Sequence, residues 1–221
     1  MMRRLVCLLA VLAFAAPLAA QSGKFEISPF VGYSLSDGFD VPTFTAPGNG
    51  RAYNGFTFKD GLSYGASLGY YVNPVTEIEF MWSRQESQLQ GERVSGGSDD
   101  AMDVAIDNYH ANFVYNMYND RRKLRPFFLF GLGATVFYPD DYQGKDLDTK
   151  SYFSGKLGAG LKYAMNRSMG LKLQVNWTPT YITSTNKGYW CDPWYGCWTI
   201  GDAQYENQFG FTAALNWRFG S

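Results

Sequence analysis

From Ala203 to Phe219 the chain reads AQYENQFGFTAALNWRF. Phe209, Phe211, Ala213, Leu215, Trp217 and Phe219 share one parity, and Gln208, Gly210, Thr212, Ala214, Asn216 and Arg218 share the other. In a strand this gives one oily face and one polar face. At about 3.3 Å per residue the oily run extends roughly 33 Å, which a tilt near 40° lowers to about 25 Å, the height of the apolar band on a membrane-spanning barrel. The same alternation recurs in Lys24 to Tyr33, Leu62 to Val72, Val75 to Arg84, Val104 to Met117, Leu124 to Tyr138, Ser151 to Tyr163 and Met169 to about Tyr181. The count of strands is eight.

Connections between these runs fall into two classes. Short polar turns lie near Asn73, Asp120 and Arg167, while longer polar stretches run from Ser34 to Gly61, Gln85 to Met102, Pro139 to Lys150 and Ser184 to Asp202. The two classes alternate strictly. The pattern predicts an all-β, eight-stranded antiparallel up-and-down transmembrane β-barrel, with short periplasmic turns, four longer extracellular loops and both chain ends on the periplasmic side.

Alternation alone does not separate a lipid-facing barrel from a soluble one. The charges do. Opposite the aromatic face lie Glu26, Glu77, Glu79, His110, Arg125, Lys156, Lys162, Lys172, Glu206 and Arg218. Eight strands enclose room for side chains only, and the chain's large aromatics would overfill that interior, so the bulky residues are expected to face lipid. Glycines on the polar face, among them Gly65, Gly69, Gly131, Gly133, Gly158, Gly160 and Gly210, leave space for charged side chains in the lumen. An aromatic content of 18% with 24 glycines suits the girdles and tight strand packing of such a barrel.

The start MMRRLVCLLAVLAFAAPLAAQSG pairs Arg3 and Arg4 with an apolar run and small residues at Ala19 and Ala20. It reads as a secretory signal peptide over residues 1–20, too short to span a membrane as a helix, leaving residues 21–221 as one barrel domain. The formal net charge is −1, and removal of Arg3 and Arg4 takes it near −3, which argues against nucleic acid as a partner.

On the terminal alternation FGFTAALNWRF and the strand pattern, the chain resembles the small OmpA/OmpX-like outer-membrane barrels. The resemblance implies a bacterial outer-membrane location, outer-membrane lipids and lipopolysaccharide as surroundings, and insertion by the barrel-assembly machinery. Trp217 and Phe219 would then form the assembly signal. For individual members it implies roles in envelope integrity, adhesion or narrow conductance.

Cys191 and Cys197 flank Asp-Pro-Trp-Tyr-Gly in the last long connection of an exported chain, and a disulfide is the expected pairing. Trp190, Trp194, Tyr195 and Trp198 crowd the same stretch, Phe39, Phe44, Tyr53, Phe56 and Phe58 occur in the first long connection, and such aromatics form a candidate contact surface for an extracellular ligand. The alternative is that the loops pack on one another above the membrane, or that strands continue outward. Glu26, Glu77, Glu79, His110, Arg125, Lys156, Lys172, Glu206 and Arg218 form a candidate lumen network, read either as a structural filling or as an ion gate. Neither a cofactor nor a metal site is expected: two thiols need further ligands, and the single histidine, His110, lies on a distant strand. No enzyme is expected either. The sequence His110-Ala111-Asn112 lacks the serine that follows histidine by two places in a lipid A deacylase of this size.

Overall fold

A computed structural model describes residues 25–45, 50–117, 123–140, 149–166, 168–182, 189–192, 196–199 and 204–219. The expected signal peptide lies outside them. The described residues form twelve strands: β1 (Phe25–Ser36), β2 (Gly38–Thr45), β3 (Ala52–Phe58), β4 (Gly61–Tyr71), β5 (Thr76–Arg93), β6 (Ser98–Asn116), β7 (Leu124–Pro139), β8 (Lys150–Ala164), β9 (Met169–Ile182), β10 (Tyr189–Asp192), β11 (Gly196–Thr199) and β12 (Gln204–Phe219).

Eight of these close a ring in the order β1, β4, β5, β6, β7, β8, β9 and β12. Closure joins the first and last strands, with Phe25 opposite Phe219 and Ser36 opposite Gln208. In lipid an open edge would leave donors and acceptors unpaired, so closure satisfies the backbone. The oily parity faces outward, as with Phe80, Phe113, Phe128, Phe130, Phe153 and Phe211, each close to half exposed. On the other parity Glu26, Glu77, Glu79, His110, Lys156 and Lys172 are buried inside the ring.

Three of the long polar connections are themselves β-structured, the last through the β10–β11 pair. β5 and β6 run on past the alternating segment and pair from Thr76–Tyr115 to Glu92–Ser98, turning at residues 94–97. Eighteen residues of β5 rise about 45 Å at a 40° tilt, well above an apolar band of about 25 Å. Above the membrane no face must be oily, so the sequence there loses its alternation and reads as loop. β4 pairs with β5 only up to Gln85, leaving the upper edge of β5 open. β3 takes that edge, from Phe58 opposite Leu89 to Tyr53 opposite Arg93, and β2 pairs onto β3.

Glycine on the inner parity answers two kinds of neighbour. A side chain at Gly69 would run into the Glu77 carboxylate, so the glycine makes room for charge. Gly65 and Gly160 lie directly opposite Phe30 and Phe127 in the sheet and would collide with their rings. Here the expectation that all large residues face lipid fails. Phe30, Met81, Phe127, Leu129 and Phe137 point inward and are buried, each ring or chain fitted over a small residue or a neighbouring apolar one.

Candidate functional site

The lumen carries the chain's densest buried chemistry, and it is layered along the bore. At the periplasmic end Lys162 reaches across from β8, donating to Glu26 of β1 at 2.9 Å and to Glu77 of β5 at 2.6 Å. Its third donor goes to the Tyr71 hydroxyl at 3.0 Å. Arg218 donates to Glu26 at 2.8 Å and to Tyr71 at 3.0 Å, and the Tyr71 hydroxyl donates to Glu26 at 2.9 Å. Five strands are thereby tied through one cluster. One step further in, Lys172 pairs with Glu79, which also accepts from Asn112 at 3.1 Å. The Phe127 ring lies under both ammonium groups, 5.6 Å from Lys162 and 5.2 Å from Lys172, close enough for cation–π attraction.

Higher in the bore the chemistry becomes amide and hydroxyl. Lys156 donates to the Met81 thioether at 3.7 Å and joins no ion pair among the described residues. The His110 Nε2 lies 3.0 Å from the Ser154 hydroxyl. Asn108 donates to Gln208 at 2.9 Å and accepts from Thr135 at 2.7 Å, whose hydroxyl meets that of Thr180 at 3.0 Å. Glu206 is fully buried beside Thr180 and Gln208, with no cation paired to it among the described residues.

At the external end an apolar plug closes the mouth. Phe56 and Phe58 of β3 pack with Leu89, Val104, Ile106, Phe137 and Ile182 from the barrel wall, and Phe58 stacks on Phe137 at 5.1 Å. β3 is held over the mouth by a clasp at the tip of the β5–β6 hairpin. Asp99 there accepts from Tyr53 at 2.7 Å and from Arg51 at 2.9 and 3.0 Å, with Arg93 at 3.6 Å.

The candidate network therefore separates into parts. Glu26, Glu77, Glu79, Lys172 and Arg218 come together, whereas Lys156, His110 and Glu206 lie higher, in different surroundings. Arg125 is half-buried at the periplasmic rim, opposite Lys162 in the β7–β8 register. Lys162 is the hub, and it stands outside the candidate network read from the sequence. Of the mouth plug the sequence showed Phe56 and Phe58 among the aromatics of the first long connection, but not the wall residues they meet. The wall residues Leu89, Val104, Ile106, Phe137 and Ile182 share the parity of the lumen charges, and only the fold of β3 over the bore brings Phe56 and Phe58 onto them.

In the last connection the β10–β11 register sets Cys191 opposite Cys197 and Trp190 opposite Trp198. Trp194 and Tyr195 lie outside the described residues. On β12, Trp217 pairs with Ile27 and Phe219 with Phe25 at the seam where the ring closes.

The model of the outer membrane protein beta-barrel domain matches residues 5–219. The chain belongs to this family. It is accordingly a bacterial outer-membrane protein. A comparison with curated proteins returns no match. Among solved structures the barrel is similar to the outer membrane protein OprG from Pseudomonas aeruginosa, with 11% identity over 91% of this chain and 98% of that one, at a TM-score of 0.64. Neisserial surface protein A matches at 12% identity over 88% and 97%, with a TM-score of 0.58. The outer membrane protein AlkL, solved in DMPC bilayers, matches at 17% identity over 91% and 92%, with a TM-score of 0.55. At these identities the likeness is one of fold.

The clasp above the membrane is expected to depend on pH. The Tyr53 hydroxyl and the Arg51 guanidinium hold the Asp99 carboxyl below the usual aspartate range. A depressed folded value means the contact is fully present above the unfolded aspartate pKa, about 3.9, and is lost as pH falls through the lowered one. Hydrogen exchange of the β3 amides, compared as protection factors, is expected to stay constant from neutral pH down to mild acid and to fall only in strong acid. In Asp99→Asn the protection is expected to be lower throughout.

Proposed function

We propose that the protein is a non-enzymatic, non-conducting barrel that displays a β-structured rim above the outer membrane for surface contacts. The observation that carries this reading is the double closure of the bore, by the Lys162-centred cluster at one end and the aromatic plug at the other. A route for solute would have to break both. The long β5–β6 hairpin and the β2–β3 hairpin paired to it build the platform. Outer-membrane lipids and lipopolysaccharide surround the apolar band, the last strand with Trp217 and Phe219 engages the assembly machinery, and an extracellular ligand meets the rim. Planar-bilayer recording of the refolded protein is the test. No steady conductance above the bare bilayer is expected, and a reproducible ohmic step would sink the sealed-bore reading.

A narrow channel for ions or small solutes is the second reading. It is favoured by the polar file of Asn112, His110, Asn108 and Gln208 lying between the two closures. Under it Glu79→Ala and Arg125→Ala would change the conductance; under the first reading neither does.

We further propose that Cys191 and Cys197 are bridged. Directly opposed residues of an antiparallel pair have Cα atoms about 4.5–5.5 Å apart, within the disulfide range. Intact-mass measurement after alkylation without reductant is expected to show no added label, and two labels would refute the bridge.

A further inference from the structure

We infer that Glu206 holds a proton and so closes a one-way ring of hydrogen bonds across the bore, directly beneath the mouth plug. Three atoms here have no hydrogen-bond partner among the described residues although their side chains are buried: both carboxyl oxygens of Glu206 and the Gln208 Nε2. Buried polar atoms left so call for an explanation. A proton on Glu206 satisfies all three.

The neighbouring bonds fix the direction. Thr135 donates to the Asn108 Oδ1 at 2.7 Å, and a hydroxyl has a single proton to give. In the 3.0 Å contact between Thr135 and Thr180, Thr180 is therefore the donor. Its proton is thereby committed, so toward Glu206, its partner in the β12–β9 register, Thr180 can only accept. Asn108 in turn donates to the Gln208 Oε1 at 2.9 Å, which leaves the Gln208 Nε2 as a free donor on the same inward face as Glu206. An ionised Glu206 would set acceptor against acceptor at Thr180. A protonated one gives its O–H to Thr180 and takes the Gln208 amide on its other oxygen. Rotation of the Glu206 and Gln208 side chains then completes the circuit from Glu206 through Thr180, Thr135, Asn108 and Gln208 and back, tying β12, β9, β7 and β6 together.

The surroundings favour a proton over a metal ion. Neither carboxyl oxygen is open to a water molecule, and a proton is the one cation that needs no added room. Ile106, Phe137 and Ile182, the next inward-facing residues above Asn108, Thr135 and Thr180, belong to the plug and keep the ring dry. Among the described residues the charged group facing Glu206 is Asp37, whose N–H bonds the Asn207 carbonyl at 2.9 Å; its sign is wrong for pairing. Lys156 and His110 lie deeper, against Met81 and Ser154. Glu206 precedes Phe209, where the oily run begins, and so stands above the apolar band. Burial, with Asp37 adding to it, pushes the Glu206 carboxyl up to about 8. As pH rises through that value the proton leaves, Thr180 turns to donate to the carboxylate, and its bond to Thr135 is given up. The ring is thus a latch between β7 and β9 that alkali releases.

Infrared spectroscopy of the folded full-length protein in phosphatidylcholine vesicles is the test, with glutamate labelled at its side-chain carboxyl by heavy carbon to set its bands apart. A protonated-glutamate carbonyl band is expected at neutral pH, lost as the pH is raised through about 8 and missing in Glu206→Gln. Thr180→Val removes the acceptor and is expected to move the band to higher frequency, as for an acid without a hydrogen bond. It serves as the readout where Glu206→Gln fails to fold. Asp99→Asn, in the external clasp, is expected to leave the band in place. Absence of the band from the wild type at neutral pH would overturn the inference. So would a band that survives in Glu206→Gln, one unmoved in Thr180→Val, or one that vanishes when choline chloride is replaced by sodium chloride, which would mark a metal-cation site instead.

Discussion

Lys162→Met is expected to lower the unfolding free energy by about 3–5 kcal/mol, the usual loss when one partner of a buried ion pair is removed. Lys162 and Glu77 are both fully enclosed, and Lys162 supplies the cation for Glu77 and one of two for Glu26. Without it Glu77 keeps, among the described residues, the Asn116 amide at 3.2 Å. Equilibrium denaturation in detergent micelles, followed by tryptophan fluorescence, measures the change. The double variant Lys162→Met with Glu77→Gln is expected to recover most of the loss, because it removes the stranded charge rather than the contact area. Glu206→Gln provides the contrast. No cation pairs with Glu206 among the described residues, so the amide replacement is expected to change stability by under about 1 kcal/mol. Equal losses in Lys162→Met and Glu206→Gln would show that burial alone, and not pairing, governs the lumen.

Phe58→Ala is expected to cost about 3–5 kcal/mol, but locally, in the plug rather than in the barrel. Phe58 is 1% exposed, stacks on Phe137 and anchors β3 across the mouth. β3 is otherwise held by its edge pairing with β5, by Phe56 in the same plug and by the Asp99 clasp. Losing the ring therefore frees the β2–β3 hairpin while the eight-strand ring below keeps its ladder. Limited proteolysis is expected to cut between residues 37 and 60 in the variant and not in the wild type. Heat-dependent gel migration, the mark of an intact barrel, is expected to remain. Unchanged protease resistance would mean that β3 holds its place without the plug, and the sealed-bore reading would lose its external closure.

Much of the barrel was legible from alternation, and the reason is the solvent. Hydrocarbon demands an oily residue at every second position, so Phe80, Phe113, Phe130 and Phe211 mark the outward face without any tertiary knowledge. The inner face is less constrained. It must be filled, but either a charge or a ring will fill it, and Phe30 opposite Gly65 and Phe127 opposite Gly160 show the second solution. Lys162 and Lys156 look alike in sequence. One pairs with two carboxylates and the other faces a thioether, because partners across the bore come from strands far apart in the chain.

Above the membrane neither rule applies, and the alternation stops although the strands continue. The glutamine-rich run at the top of β5 keeps its ladder with β6 and accepts β3 on its other edge. By itself the sequence determined the eight strands of the ring, its closure and its outward face, since each follows from backbone satisfaction and burial in a uniform apolar medium. Only the tertiary structure decided which lumen charges meet, which rings turn inward and that a hairpin folds over the mouth. Those outcomes depend on contacts across the bore, where residues distant in sequence are set side by side by the stagger of the strands.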